Sequence, residues 1–354
     1  MRKLYVSLLL LFLSLLFYNP AWAQVEDTVR AYSTSKERIA MNLYNQGIHA
    51  MKARDFSNAL NYFNRALENK EDFSKAIFNR GLVYFKQNDI DAAVQDYNKA
   101  ISLKPTANMY FNRGLAKLLQ DDTANAVTDF QKAVSMNELL ADAYYYLASI
   151  QNRNEHYSKA IEYYTEAIEA EKNHVSALFE RGNVYLKTEN FIKAISDYEK
   201  AINLDSTDSY MYQNLGLARE KSDNIEGAIE AYNMALKTDS SRAVLWNNRG
   251  ILYYKQKEYD LAIQDYNMAV SVDKKFVPAY NNIGNLLYTQ KKYEEAVDYY
   301  DKAIMLNPEY GVAYMNRGIC KEMLRLPEEA CEDWTKALSL GIKKADTYIK
   351  SQCN

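Results

Sequence analysis

The sequence predicts an all-α protein, an α-solenoid in which a helical hairpin is repeated nine times. Columns of residues recur along the 354-residue chain at a nearly constant interval of 34 residues. Eight of the eleven glycines form the first column, and Ala148 stands where one glycine is missing. A fixed period of this length is the signature of a solenoid, in which each unit stacks on its neighbours. The glycines are Gly47, Gly81, Gly114, Gly182, Gly216, Gly250, Gly284 and Gly318.

Two alanine columns and an aromatic column complete the unit. In each repeat an alanine, an aromatic residue and a second alanine follow the glycine position at spacings i, i+4 and i+7, as in Ala59, Phe63 and Ala66. These spacings place the three side chains on one face of an α-helix. The glycine lies on a preceding helix, where a larger side chain would clash with the partner helix. The aromatic residues are Phe63, Tyr97, Phe130, Tyr164, Tyr198, Tyr232, Tyr266, Tyr300 and Trp334.

The repeated unit resembles the tetratricopeptide repeat over residues 40 to about 344. The pattern is almost unbroken in IDAAVQDYNKAISLKP, in WNNRGILYYKQKEYDLAIQDYNMAV and in YNNIGNLLYTQKKYEEAVDYYDKAIMLNP. The departures are Ala148 for glycine, Ala50 where an aromatic residue is usual, and one residue missing from the turn after repeat 2. The resemblance implies a right-handed superhelix of nine hairpins plus a C-terminal capping helix.

Residues 1–23 have the pattern of a secretory signal peptide. Arg2 and Lys3 precede an apolar run over residues 4–17, and Ala21 and Ala23 form a small-x-small cleavage site. We therefore expect export to the periplasm or the outer-membrane periphery, or secretion, with a mature chain that begins at Gln24. An uncleaved anchor is the alternative, but the apolar run is shorter than the ~20 residues of a spanning helix. No membrane span is expected after cleavage.

The rest of the chain divides into three segments. Residues 24–39 form a polar lead-in and the start of the first helix, and residues 40–340 hold the nine repeats. In residues 341–354, Gly341 ends the last repeat and a capping helix follows. Its apolar face is formed by Ala345, Tyr348, Ile349 and Cys353.

All three cysteines lie near the C-terminus, and an exported chain allows them to oxidise. Cys320 occupies a column of small buried residues. Cys331 occupies a column that faces the next element, which here is the cap that carries Cys353. The closing segment, ACEDWTKALSLG followed by a terminal cysteine, also resembles that of exported Bacteroidetes tetratricopeptide proteins. The sequence therefore predicts a bridge between Cys331 and Cys353, and three free thiols are the alternative.

The sequence contains no pattern that indicates catalysis or a cofactor. His49, His156 and His174 are scattered, so neither a metal site nor a histidine base beside a nucleophile is indicated. Without Arg2 and Lys3 the chain has 41 basic and 46 acidic residues, a net charge of −5. This balance disfavours nucleic acids and anionic membranes as partners.

The candidate binding residues lie two positions before the glycine column, on the concave side in the family that this chain resembles. We call these nine positions the ladder. Asparagine fills seven of them, which looks like the asparagine ladder in the tetratricopeptide superhelix of O-linked N-acetylglucosamine transferases. An amide can donate to and accept from a peptide backbone. The alternative is that these asparagines only solvate the groove. The rungs are Asn45, Asn79, Asn112, Tyr146, Glu180, Asn214, Asn248, Asn282 and Asn316.

Neighbouring positions are expected to supply specificity. Phe78 and Phe111 make repeats 2 and 3 apolar, whereas Tyr254 and Tyr288 make repeats 7 and 8 suited to hydrogen bonding. The alternative is that some of these residues pack between repeats. We therefore expect a non-enzymatic scaffold or adaptor that binds an extended peptide or protein partner in its groove, within an envelope or secretion-related complex. Glycan binding to the cell wall and a structural spacer bound through its outer face are the alternatives, and the oligomeric state stays open.

The cysteine pairing is tested by counting thiols on the denatured, unreduced protein. One free thiol is expected if Cys331 and Cys353 are bridged, because Cys320 then remains the single reduced cysteine. Three free thiols would rule the bridge out.

Overall fold

Nineteen α-helices account for the regular structure of residues 35–353, the part of the chain that the computed structural model describes. The predicted signal peptide, residues 1–23, and residues 24–34 of the lead-in lie outside this part. The helices are α1 Ser35–Lys52, α2 Phe56–Asn69, α3 Ser74–Lys86, α4 Ile90–Leu103, α5 Ala107–Leu119, α6 Thr123–Met136, α7 Ala141–Arg153, α8 Tyr157–Ala170, α9 Val175–Lys187, α10 Phe191–Leu204, α11 Ser209–Lys221, α12 Ile225–Thr238, α13 Ala243–Lys255, α14 Tyr259–Val272, α15 Val277–Thr289, α16 Tyr293–Leu306, α17 Gly311–Met323, α18 Pro327–Ser339 and α19 Ala345–Gln352.

The alternation of helices follows the predicted repeat. Odd-numbered helices α1 to α17 carry the glycine column and are the first helices of the repeats. Even-numbered helices α2 to α18 carry the alanine and aromatic columns and are the second helices, and α19 follows as the predicted terminal helix. The missing residue after repeat 2 shortens the connection between α4 and α5 to residues 104–106. The predicted all-α solenoid of helical hairpins with a C-terminal helix is confirmed.

The glycine column lies where the paired helices come closest. A Cβ atom built on Gly182 would lie 2.8 Å from the ring of Tyr198, and one on Gly318 would lie 2.6 Å from Nε1 of Trp334. Contacts this short do not occur in relaxed structures, so a larger residue would push the helices apart. Both aromatic rings are completely buried. The glycine and the aromatic residue therefore form one packing unit, as the columns predict.

Each hairpin turn contains a residue with left-handed backbone, and none of the nine is glycine. Their φ angles lie between 59° and 65°. An L-residue in this conformation costs roughly 1–2 kcal/mol. Because the residue types vary, no column of the sequence indicated this feature. The residues are Arg54, Asn88, Asp121, Glu155, Glu189, Asp223, Lys257, Lys291 and Arg325.

The chain separates into two compact units, with α1–α5 in the first and α6–α19 in the second. Within each unit, the second helix of a repeat packs against the first helix of the next repeat. First helices of neighbouring repeats also contact each other, for example α7 with α9 and α15 with α17. The second helices make no comparably extensive contact with one another in the described part of the chain. The first helices therefore line the inner side of each stack. We call their solvent-facing surface the inner face.

A buried arginine–aspartate pair joins the two helices of several hairpins. Arg181 donates from Nε and Nη2 to the two carboxylate oxygens of Asp197, at 2.7 and 2.8 Å. Its Nη1 donates to Thr165 Oγ1 of the preceding repeat at 2.9 Å. One guanidinium therefore connects three helices, and its planar fork matches a carboxylate in this way. The same pairs are Arg80–Asp96, Arg249–Asp265 and Arg317–Asp333.

Repeats 1, 4, 6 and 8 carry uncharged residues at both of these positions. Leu147 and Tyr163 occupy them in repeat 4, and Ile283 and Tyr299 occupy them in repeat 8. The two positions therefore change together, which is expected because a lone buried charge is costly. The recurrent Asp-Tyr dipeptides, such as Asp197 and Tyr198, serve the scaffold.

The C-terminal helix covers the last hairpin. Gly341 has a φ of 90° and ends the repeat, and the ring of Tyr348 in α19 lies 5.0 Å from that of Trp334. A disulfide joins Cys331 to Cys353, with the Cα atoms 5.7 Å apart. Cys320 is buried, and burial raises the pKa of its thiol to about 12. The structure therefore contains the Cys331–Cys353 bridge, and Cys320 is the free cysteine.

The role of the arginine–aspartate pair can be tested in repeat 5. We expect Asp197→Ala to lower the free energy of unfolding by about 3 kcal/mol, because it leaves the guanidinium of Arg181 buried without a counter-charge. The double variant Arg181→Leu, Asp197→Tyr, which copies repeat 4, should recover at least half of the loss. Urea unfolding followed by circular dichroism measures both. A double variant no more stable than Asp197→Ala would show that the charge pair is not the cause.

Candidate functional site

The ladder lies on the inner face, and in the second unit its amides bond from one repeat to the next. Asn282 Nδ2 donates to Asn247 Oδ1 at 2.8 Å. Asn316 Nδ2 donates to Asn281 Oδ1 at 3.1 Å and to Asn285 Oδ1 at 3.0 Å. Each donor belongs to one repeat and each acceptor to the repeat before it. These rungs therefore help to hold neighbouring repeats together.

The ladder is also connected to the buried aromatic column. Asn183 Oδ1 accepts hydrogen bonds from Asn214 Nδ2 at 2.8 Å and from the Tyr198 hydroxyl at 2.7 Å. Asn285 Oδ1 likewise accepts from the Tyr300 hydroxyl at 2.8 Å, in addition to its bond with Asn316. The amides three residues beyond the ladder position in repeats 5 and 8 thus connect a rung to the core. Asn248 lies beside the Tyr232 hydroxyl.

In the first unit the rungs differ from one another. Asn79 is buried, and its Nδ2 donates to the Tyr44 hydroxyl at 3.3 Å and to the Lys75 carbonyl at 2.8 Å. Asn112 donates to a carbonyl of its own helix, that of Asn108, and is half-buried. Asn45 is also half-buried. Asn79 therefore serves the scaffold more than the other two.

The aromatic residues expected to give specificity take part in packing. The ring of Phe78 lies 5.7 Å from that of Tyr97, and Phe111 is only 6% exposed. The ring of Tyr254 lies 5.6 Å from that of Tyr259, and its hydroxyl shares a 2.6 Å hydrogen bond with Thr289. The alternative of packing within and between repeats therefore applies to these three side chains.

Two further aromatic residues of the inner face are only partly exposed. The ring of Tyr288 lies 5.6 Å from that of Tyr293, and burial raises the pKa of the Tyr288 phenol. The ring of Tyr146 stacks on that of Phe130, with the centroids 5.5 Å apart. Both residues are nevertheless half-buried, so neither is completely withdrawn from solvent.

A column of basic residues along one edge of the inner face was missed by the sequence reasoning. The column lies seven residues beyond the ladder, and each member is the last residue of a first helix. A cation stabilises this end of a helix because the helix dipole is negative there. The constant spacing could have revealed it. The residues are Lys52, Lys86, Arg153, Lys187, Lys221 and Lys255.

The positive charge of two members of this column is compensated or disfavoured by their surroundings. Lys255 Nζ lies 2.6 Å from Glu220 Oε1 of the preceding repeat, so this pair is neutral as a whole. Burial, with a smaller contribution from the charge of Arg54, lowers the pKa of Lys86 to about 8. The basic edge is therefore partly neutralised within the molecule.

Repeats 4 and 5 interrupt the ladder with Tyr146 and Glu180. Burial raises the pKa of the Glu180 carboxyl, while an Asn183 hydrogen bond and the charge of Lys187 oppose that rise. Asn183 Nδ2 donates to Glu180 Oε2 at 3.3 Å. A donor-bearing amide is thus replaced here by a group that, when ionised, only accepts.

Residues 35–353 contain no cluster of three or more His, Cys, Asp or Glu residues placed to hold a metal ion. His174 has a local structural role instead, because its Nδ1 accepts from the backbone N–H of Ala177 at 3.3 Å and caps α9. A helix long and apolar enough to cross a membrane is likewise missing from this part of the chain.

Comparison with family models matches the tetratricopeptide repeat over most of the chain. The matched residues are 44–108, 111–173, 175–208, 209–242, 243–276 and 277–310. The ninth hairpin and α19 follow the last matched residue. The comparison with curated proteins finds no match.

Two solved structures have the same fold. One is the C-terminal part of a TPR repeat-containing protein from Cytophaga hutchinsonii, 16% identical, with a TM-score of 0.59, covering 68% of this chain and 98% of that one. The other is a tetratricopeptide repeat protein from Parabacteroides merdae, 20% identical, with a TM-score of 0.55, covering 70% of this chain and 99% of that one. At these identities the similarity concerns the fold alone.

The connection between ladder and core can be tested at Asn183. We expect Asn183→Ala to lower the free energy of unfolding by about 1–3 kcal/mol, because it removes the acceptor of both Tyr198 and Asn214. Asn112→Ala is the matched control and should change stability by less than about 0.5 kcal/mol, since Asn112 bonds only within its own helix. Equal losses in urea unfolding for the two variants would contradict this role for Asn183.

Proposed function

Because the chain belongs to the tetratricopeptide-repeat family, we propose that it is a non-enzymatic scaffold that binds an extended peptide or protein partner along its inner face. The family supports the coarser part of this proposal, since its repeats typically form non-catalytic scaffolds for protein partners. The finer part, an extended segment on the inner face, rests on the geometry of the ladder.

The observation that carries the proposal is the orientation of the amides in the second unit. The Nδ2 groups of Asn214, Asn282 and Asn316 donate to the preceding repeat. Their Oδ1 atoms accept no hydrogen bond from the described residues and are not among the buried atoms that lack a partner. These oxygens are therefore accessible acceptors on three rungs of the second unit.

An extended peptide has the complementary chemistry. Its backbone N–H groups must be satisfied when it is bound, and a row of fixed carbonyl oxygens satisfies them without reading the side chains. Because the neighbouring repeat already holds each amide, little side-chain entropy is lost on binding. The ladder thus favours extension of the ligand, and neighbouring side chains would select its sequence.

Export and a role in assembly of an envelope or secretion-related complex form a separate part of the proposal. The apolar residues 4–17, followed by small residues at positions 21 and 23, support passage through a secretory route. The disulfide between Cys331 and Cys353 is also compatible with an oxidising compartment. We therefore propose that the working protein resides in the periplasm, at the outer-membrane periphery, or outside the cell.

The proposal is tested by photo-crosslinking in living cells followed by mass spectrometry. A photoreactive residue at position 248, on the inner face, should capture a partner, because that position lies between accessible rungs. The matched control is Asn267, an exposed asparagine on the second helix of the same repeat, which should capture little.

The outcomes separate the alternatives. Capture from position 267 alone would contradict the groove proposal and support a spacer bound through its outer face. Equal capture from both positions would also contradict it. Retention of the protein on purified cell-wall material would support the glycan alternative.

A further inference from the structure

The two rungs that interrupt the ladder differ in chemistry from the other seven. Repeat 5 has a carboxylic acid, Glu180, where seven repeats have an amide, and repeat 4 has an aromatic residue, Tyr146. In the second unit the amides of Asn214, Asn282 and Asn316 donate to the preceding repeat. An ionised carboxylate cannot donate a hydrogen bond and can only accept one. Glu180 therefore needs hydrogen-bond donors where the other rungs supply them.

From the register of the other repeats, we infer which residues of repeat 4 face Glu180. Asn316 contacts Asn281 and Asn285, which are 35 and 31 residues before it. The same separations from Glu180 lead to Tyr145 and Ser149 of repeat 4. Neither of these residues carries a positive charge.

The surroundings of Glu180 also lack a close counter-ion. No lysine, arginine or histidine of the described residues lies within ion-pair distance, 4.0 Å, of its carboxylate. Lys187 acts on it from a greater distance, and the ammonium of Lys187 lies 5.9 Å from the centre of the Tyr157 ring. Asp142 of repeat 4 adds no positive charge, and its own contact is with His174 at 3.5 Å.

Glu220, another carboxylate of the inner face, is paired, because its Oε1 lies 2.6 Å from Lys255 Nζ. The one hydrogen bond that Glu180 makes with the described residues comes from Asn183 Nδ2, at 3.3 Å. A half-buried carboxylate with one long hydrogen bond is poorly compensated.

Aromatic neighbours complete the environment. Phe179 precedes Glu180 and is half-buried, with its ring 5.8 Å from that of Tyr198. Tyr146 is the adjacent rung and is also half-buried. Aromatic faces attract cations through the ring quadrupole, most strongly where water is partly excluded.

We propose that the interruption of the ladder at repeats 4 and 5 is a subsite for a cationic side chain, lysine or arginine, of the bound peptide, with Glu180 as its counter-charge. The proposal rests on the proposed function, since it names the residue class that the peptide presents at this point. The cation supplies the missing donor and the missing charge together. The rungs of the second unit beyond repeat 5 would hold the peptide backbone, and the subsite would set its register.

The acid–base behaviour of Glu180 gives the subsite a dependence on pH. Burial holds the pKa of this carboxyl above its usual range. The ionised form binds the cation, so affinity for a lysine-containing peptide should fall as the pH is lowered through that raised pKa. Cation binding in turn lowers the pKa, because an opposite charge favours the ionised form.

The test uses the purified full-length chain and a synthetic peptide pool. The peptides are N-acetylated, C-amidated and about ten residues long, which spans roughly 33 Å when extended. Each position is drawn from Ala, Ser, Leu, Lys and Glu, and the peptides that the immobilised protein retains are sequenced by mass spectrometry. We expect lysine to be enriched over glutamate about tenfold, the magnitude of one charge-assisted hydrogen bond.

Two variants and a matched control isolate Glu180. The enrichment of lysine should be lost in Glu180→Gln and in Glu180→Asn, the second of which introduces the residue that seven other rungs carry and so suits the fold. Glu220→Gln is the control. It removes a carboxylate of the same inner face that Lys255 already compensates, and the enrichment should stay as in the unaltered chain.

Each result decides between the two proposals. A retained pool with equal lysine enrichment in the unaltered chain and both Glu180 variants overturns the cationic subsite, as does a retained pool without enrichment, and either result leaves peptide binding in place. A pool that the unaltered chain does not retain overturns both proposals. Loss of enrichment in the Glu180 variants, with retention unchanged in Glu220→Gln, supports the subsite.

Discussion

The close contact between a glycine and an aromatic ring is the constraint on which every hairpin depends. It brings the two helices of a repeat so near that a Cβ atom on Gly182 would lie 2.8 Å from the Tyr198 ring. The ring in turn is completely buried, and burying such a side chain contributes roughly 1.5–3 kcal/mol. Because the contact recurs at a constant interval, consecutive first helices are presented in the same way, and residues 31 to 35 apart in the chain can meet on the inner face.

Two polar systems then connect the repeats, and they differ in how strictly they recur. The arginine–aspartate pairs appear only in some repeats, and uncharged residues replace both partners together elsewhere, as Leu147 and Tyr163 do. The reason is electrostatic, since one buried charge without the other costs several kcal/mol. The amides of the inner face are less demanding because each can donate and accept. This tolerance explains how the ladder can hold the stack together while it still leaves carbonyl oxygens accessible.

The places where a repeated pattern breaks are the informative ones for function. A rung such as Asn282 is explained by its neighbours, because it bonds to Asn247 and has equivalents in other repeats. Glu180 is not explained in that way, because no neighbouring repeat supplies the donor and the charge that a carboxylate needs. A stacking scaffold requires similar joints at every step. A side chain that departs from the scaffold's chemistry, and is still reachable from solvent, is therefore better explained by something that binds from outside.

The sequence by itself determined the number of repeats, the helix pairs, the contact of glycine with the aromatic ring and the terminal helix, because these depend on spacings within one helix or one repeat. The constant separation of 16 residues between Arg181 and Asp197 could also have been read from it. Only the tertiary structure decided which ladder amide donates to which acceptor. It also decided that Asn79 and Phe111 are buried and that Glu180 lacks a close counter-ion. Those properties depend on distances between side chains of different repeats, and the register and curvature of the packed helices set those distances.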